Sequence, residues 1–208
     1  MNDFSMVCRV LGTLFYRQPQ DATLAPLMAL IAEGKLAAHW PLEQDELLAR
    51  LQQSCVPAGL AEEYARLFIG KSVIGNTAIN GTAIDGTDRE GALIGEAARV
   101  SPLRSAWLPA DAADVTAFLQ QLGMPRGDGP ADHFGALLLA ASWLEDHAQQ
   151  DETAAQRRLF DLYLLPWSDR FLDQVEACAA GDFYRALAII SREALQAMRE
   201  ELDETPAG

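Results

Sequence analysis

The sequence predicts an all-α fold, a single compact helical bundle of about nine helices interrupted by one long Gly/Thr-rich loop. Two observations carry that reading. Apolar residues recur every three or four positions in successive stretches, and no segment alternates with period two long enough to make a strand. Proline and glycine fall between these stretches, where a helix must end.

Met6, Val7, Val10, Leu11 and Leu14 mark the first helix, which Gln18-Pro19 stops. Leu24, Leu27, Met28, Leu30 and Ile31 mark the second, closing at Gly34. Leu42 to Leu51 and Leu60 to Phe68 repeat the pattern, the latter ending on Gly70. After the loop, Pro109-Ala110-Asp111 opens a helix through Leu122, with Asp111 suited to be its cap or a first-turn acid. Pro130 is expected to open the next, running to about His147. Asp151 to Leu165 and Trp167 to about Ala179 follow, expected to be separated by Pro166, and Asp182 starts a last helix ending near Glu201. Residues 203–208 read as a flexible tail.

Lys71 to Pro102 breaks the rhythm, with echoes such as Gly75-Asn76-Thr77-Ala78-Ile79 and Gly81-Thr82-Ala83-Ile84. Structureless segments of this length are uncommon inside a domain. The stretch is open to three readings: a surface insertion, a lid over a groove, or a hinge that lets a monomer become a segment-swapped dimer.

Sixteen basic residues against thirty acidic ones give a net charge of -14, which repels nucleic acid and anionic membranes and attracts basic peptides. The three cysteines, Cys8, Cys55 and Cys178, are odd in number and far apart, which suits a reducing compartment. The N-terminus lacks the order of a secretory signal, and no apolar run approaches the roughly 20 residues of a membrane helix. A cytoplasmic protein is expected.

Little catalytic chemistry is visible. The glycines at 81, 86, 91 and 95 have no Lys-Ser or Lys-Thr in register for a phosphate loop. His133 and His147 at opposite ends of one helix would lie roughly 21 Å apart, too far to share a metal ion. Neither metal nor cofactor is expected. Asp132-His133, after Pro130, has a plain structural explanation as a capped helix start. Yet Phe134, Leu137, Leu138, Leu139, Ala140, Ala141, Trp143 and Leu144 make the following helix apolar nearly all round, hence central, so the charged pair stands where the core meets a mouth. A hydrolase using Asp132 and His133 as a base and orienter, or a scaffold docking a basic partner, are the competing readings.

Three stretches in order resemble the redox-enzyme maturation chaperones of the TorD/DmsD/NarJ family. Glu63-Tyr64-Ala65-Arg66-Leu67-Phe68 resembles the family's aromatic-x-x-Leu-Phe helix end, Pro130-Ala131-Asp132-His133 its Glu-Pro-x-Asp-His signature, and Leu164-Leu165-Pro166-Trp167 with Phe171-Leu172 its third landmark. The signature's Glu is replaced by Gly129, and Ser101-Pro102-Leu103-Arg104-Ser105-Ala106-Trp107 stands where the family carries a Pro-Pro-Tyr-like segment. Phe4 to Gly12 and Trp40 to Leu47 look closest to the YcdY-type branch. The resemblance implies an all-helical, non-enzymatic chaperone of the cytoplasm. Its partner would be a client protein: an apo-molybdoenzyme with its twin-arginine leader, or a YcdX-like metal-dependent phosphatase. Tyr64, Phe68, Arg104, Trp107, Asp132 and His133 are the expected client-binding residues.

Overall fold

The computed structural model describes residues 3–69, 100–109, 112–147 and 152–204. Helices α1 (Asp3–Tyr16), α2 (Ala25–Ala32), α3 (Asp45–Gln53) and α4 (Pro57–Tyr64) form the N-terminal half, and a π-helical turn, Ala65–Ile69, continues α4. Then come α5 (Ala112–Gln121), α6 (Phe134–Asp146), α7 (Glu152–Arg158), a second π-helical turn (Leu159–Leu164), α8 (Leu165–Cys178) and α9 (Asp182–Glu204). Among the described residues there is no strand, only an isolated antiparallel bridge between Leu103 and His133. The architecture is all-α, as the periodicity predicts.

Most of the long insertion, the Gly70 cap, the Ala110-Asp111 helix start and residues 205–208 lie outside the described residues. α9 continues through Glu204, two residues into the stretch read as tail. Gly34 does close α2, at a φ of 70° that glycine adopts without a Cβ clash.

Two helix boundaries differ from the sequence reading. Pro130 does not open α6; the helix begins at Phe134 with His133 as its N-cap. The intervening backbone is claimed from a distance. The Phe134 N–H donates to the Pro102 carbonyl (2.7 Å) and the Arg104 N–H to the Asp132 carbonyl (2.9 Å), which holds 131–133 outside the helix. Nor does Pro166 separate two helices. It sits in the first turn of α8, where a missing N–H is tolerated, and the chain runs helically from Glu152 to Cys178. Pro166 offers no N–H to the Leu162 carbonyl four residues back; the Arg104 guanidinium donates to that oxygen instead, at 3.4 Å.

α1 and α6 cross in near backbone contact. A Cβ on Gly135 would lie 2.5 Å from the Gly12 carbonyl oxygen, and one on Gly12 would lie 2.8 Å from that of Gly135. Along the same seam the Ser5 hydroxyl meets the Ser142 hydroxyl (3.0 Å) and donates to Asp146 (2.8 Å), which also pairs with Arg9. The core behind it is aromatic. Phe171 of α8 lies within ring-contact distance of Phe15, Phe68, Trp107, Phe134 and Trp167, with centroids 4.8–6.3 Å apart. The first and third sequence landmarks therefore deliver rings to one cluster, Phe68 and then Trp167 with Phe171, and Phe134, the residue directly after the second landmark, joins them.

Candidate functional site

The turn that departs from the helix at Gly129–His133 closes one side of a pocket of about 410 Å³. The end of α1 contributes Tyr16 and Arg17, α5 contributes Thr116, Leu119 and Gln120, and α6 contributes Ala136 and Leu139. The 124–132 connection completes the wall, with Met124, Pro125 and Pro130 as apolar surface and Arg126, Asp128 and Asp132 as its charges. The volume lies within the usual range for small-molecule and side-chain-sized ligands, and a mostly apolar wall with a few convergent polar groups is typical of a recognition site.

Asp132 is only 2% exposed. One carboxylate oxygen accepts the Ser105 N–H at 3.1 Å and its carbonyl accepts the Arg104 N–H, so the 102–105 segment fixes its direction. His133 does not line the pocket. Its Nδ1 accepts the Gly135 N–H at 3.0 Å, its ring stands edge-on to Tyr16 (centroids 5.1 Å), and burial pushes its pKa down to about 4 against the opposing pull of Asp132. A neutral imidazole committed to capping α6 is what these contacts describe. Among the described hydrogen bonds none joins Asp132 to His133, so the base-and-orienter pairing of the hydrolase reading is not formed.

The remaining expected residues are placed elsewhere. Tyr64 and Phe68, each 5% exposed, belong to the aromatic core rather than the pocket wall; the Tyr64 hydroxyl donates to the Phe15 carbonyl (3.0 Å), and burial pushes its pKa up to about 12. Arg104 is buried against the second π turn, its guanidinium 5.2 Å from the centre of the Tyr163 ring. Trp107, half-buried, donates from Nε1 to the Ser101 carbonyl (2.7 Å) and packs on Phe171. Of the six, only Asp132 faces the pocket. Arg104 acts on it through backbone, and His133 through the helix start.

Sequence reasoning passed over the rest of the wall, including Tyr16, Arg17, Leu119, Met124 and Leu139. The available signal was the Pro/Gly-bracketed run Met124-Pro125-Arg126-Gly127-Asp128-Gly129-Pro130 between two helices. Among the described residues no three His, Cys, Asp or Glu side chains converge as metal ligands would. Cys8 is sealed in the core with its sulfur 3.6 Å from that of Met198, and burial drives its thiol pKa upward, so it is not a nucleophile.

Comparison with known proteins bears on this geometry. Residues 90–173 match the family model described as the nitrate reductase delta subunit. The chain is 50% identical over 205 residues to the chaperone protein YcdY of Escherichia coli (strain K12), covering 98% of each chain. It is 32% identical over 203 residues to the Tat proofreading chaperone DmsD of Salmonella typhi, covering 97% of this chain and 91% of the other. The chain belongs to the TorD/DmsD/NarJ family of redox-enzyme maturation chaperones. Two of the three landmarks that resemble the family supply rings to the aromatic core, and the middle one leads into Phe134 of that core and borders the pocket. Among the described residues no helix is long and apolar enough to cross a membrane.

Proposed function

We propose that this protein is a cytoplasmic, non-enzymatic chaperone that holds a segment of one client metalloenzyme in the pocket beside Asp132 while the client folds and receives its metal or cofactor. The observation that carries this reading is the pocket itself, an apolar wall built by three helices with a directed, buried carboxylate at its edge. Apolar side chains of the client supply affinity at roughly 25 cal/mol per Å² buried. An arginine of the client meets Asp132, while the net charge of -14 steers a basic segment toward the protein. The full-length similarity to YcdY favours a YcdX-like metal-dependent phosphatase as client; the similarity to DmsD supports a twin-arginine leader as the segment. Either client presents a disordered segment that must order on docking, which keeps affinity moderate and release easy.

The test is fluorescence anisotropy with a labelled twin-arginine peptide bearing an apolar run. Asp132→Asn keeps an oxygen for the Ser105 N–H but removes the charge, and should weaken binding by about ten- to a hundredfold at low salt, the range for loss of a desolvated ion pair, with little change in melting temperature. Equal affinity in wild type and variant would remove Asp132 from the site.

A further inference from the structure

Residues 100–107 form a strap against the turn that edges the pocket, and the strap is tied to both π turns. The Val100 N–H donates to the Leu67 carbonyl in the first (2.8 Å), and the Arg104 guanidinium donates to the Leu162 carbonyl in the second (3.4 Å). Single π turns interrupt the regular helical ladder and recur at functional sites. Between those ties the strap bonds to the turn itself. The Phe134 N–H donates to the Pro102 carbonyl (2.7 Å), the Arg104 N–H to the Asp132 carbonyl (2.9 Å) and the Ser105 N–H to an Asp132 carboxylate oxygen (3.1 Å). The Ala106 N–H to the Leu103 carbonyl and Trp107 Nε1 to the Ser101 carbonyl close the strap on itself.

Arg104 is where backbone and side-chain ties meet. Its side chain is buried, 9% exposed, with Nε lacking a hydrogen-bond partner, and among the described residues no carboxylate pairs with the guanidinium. The guanidinium lies 5.2 Å from the centre of the Tyr163 ring, and Tyr163 stacks on Phe118 of α5 (4.9 Å, 25°). Leu119, the next residue of α5, lines the pocket. A buried cation held by one long hydrogen bond and a ring face is a costly filler; a methionine would occupy similar space with no charge to desolvate. What arginine adds is direction, because a planar fork seated on a ring and bonded to a carbonyl fixes the strap's place along the π turn.

We infer that Arg104 is a positioning residue that directs the Asp132 carboxylate at the pocket. It acts through the Arg104 and Ser105 N–H groups and does not itself line the pocket. Its consequence for binding rests on the client site proposed at Asp132: a carboxylate already held in place has less freedom to lose when the client's arginine arrives. The contacts run from α5 and the second π turn through Arg104 to Asp132, so a change on the core side of the strap reaches the client without altering the pocket wall.

Arg104→Met removes the guanidinium and keeps an apolar stem; Arg104→Gln is a second neutral variant should the first fail to fold. Amide hydrogen exchange followed by NMR reads the positioning with no client present. The Ser105 and Phe134 amides should exchange at least about tenfold faster than in wild type, while that of Leu138, inside α6, keeps its rate. Fluorescence anisotropy with the labelled twin-arginine peptide reads the consequence. Arg104→Met should weaken binding about three- to tenfold in the wild-type background and not at all beside Asp132→Asn, because the effect passes through the charge that variant lacks. An arginine that only supports the core would give losses that add. Unchanged exchange at Ser105, or additive losses in affinity, overturns the positioning role and leaves the client site standing. Faster exchange in Arg104→Met, together with equal peptide affinity for wild type and Asp132→Asn, removes the client site and keeps the positioning of the carboxylate.

Discussion

Gly135→Ala tests whether the crossing of α1 over α6 is what places the pocket. Inside a helix alanine normally gains up to about 1 kcal/mol over glycine through backbone entropy, an upper bound for Gly135, the second residue of α6. Here the added Cβ would lie 2.5 Å from the Gly12 carbonyl oxygen, 2.8 Å from the Tyr16 nitrogen and 2.9 Å from the Tyr16 Cβ. The first two are backbone atoms of a packed helix, and no rotamer change relieves them. The helices must separate by several tenths of an ångström along a seam that includes Ser5, Ser142 and Asp146. Overpacking of a well-filled interior costs about 1–3 kcal/mol and more where backbone must move, so the clash outweighs the propensity gain. A net loss of about 2 kcal/mol lowers the melting temperature of a chain this size by roughly 4–8 °C. Gly59→Ala is the matched control. It lies in the first turn of α4 with nothing within 4 Å of its Cβ, and should be neutral or raise the melting temperature slightly. Thermal unfolding followed by circular dichroism reads both. A Gly135→Ala variant as stable as wild type, or no better separated from wild type than Gly59→Ala, would refute close backbone contact at the crossing.

His133 sets a pH window. Its folded value of about 4 lies below the ordinary 6.5, so the unfolded chain binds the extra proton between those limits, and stability falls as pH drops from about 6.5 to about 4. The full difference is worth roughly 3 kcal/mol. Asn is a good N-cap and does not titrate, so His133→Asn should retain most stability near pH 7 and remove that part of the acid sensitivity; parallel stability curves across pH 4–7 would contradict a buried neutral imidazole. Ser5→Ala removes the hydrogen bond that, ahead of the Arg9 charge, holds the Asp146 carboxyl below its usual range. The Asp146 pKa, followed by NMR, should therefore rise, with a stability loss of about 1 kcal/mol, since the buried Ser142 hydroxyl loses the Ser5 hydroxyl but still accepts from the Arg9 Nε–H.

The elements of the fold were legible because each depends on local pattern. Periodic apolar residues make α1, α3 and α9 visible, and Gly34 ends α2 for the reason a glycine usually does. The two misplaced boundaries share one cause: at both, a distant segment supplies what a local rule assumes missing. Pro130 looks like a first-turn proline until Pro102 and Arg104 bond to 132–134 and hold the turn open. Pro166 looks like a break until the guanidinium of Arg104 reaches the Leu162 carbonyl. No reading of a single window contains residue 104 together with either site. The same limit applies to the pocket, whose walls come from α1, α5 and α6. Asp132 could be named from its place before an apolar helix, whereas Tyr16 and Leu119 carry no local mark.

On the proposed function, the landmarks that reveal the family and the residues that would select a client are different sets. Phe68, Phe134, Trp167 and Phe171 point at one another, and a change in any of them would act on the core before it acted on a ligand. On that reading selectivity belongs to the rim, and Gly129 shows how the rim can change without disturbing the core. A Cβ at 129 would collide with the Tyr16 hydroxyl, so the Tyr16 ring already fills the space that a side chain there would need. Where the family's signature places a glutamate, this chain places a phenol delivered from α1. Where the signature has its glutamate the rim has no carboxylate, Asp132 and Asp128 are its acids, and Tyr16 lines the pocket with them while standing edge-on to His133. Since Tyr16 is fixed by the Gly12–Gly135 crossing one turn away, two glycines in the seam and one at the rim together shape the pocket, and on the proposed function that mouth is where this chain would set its choice of client.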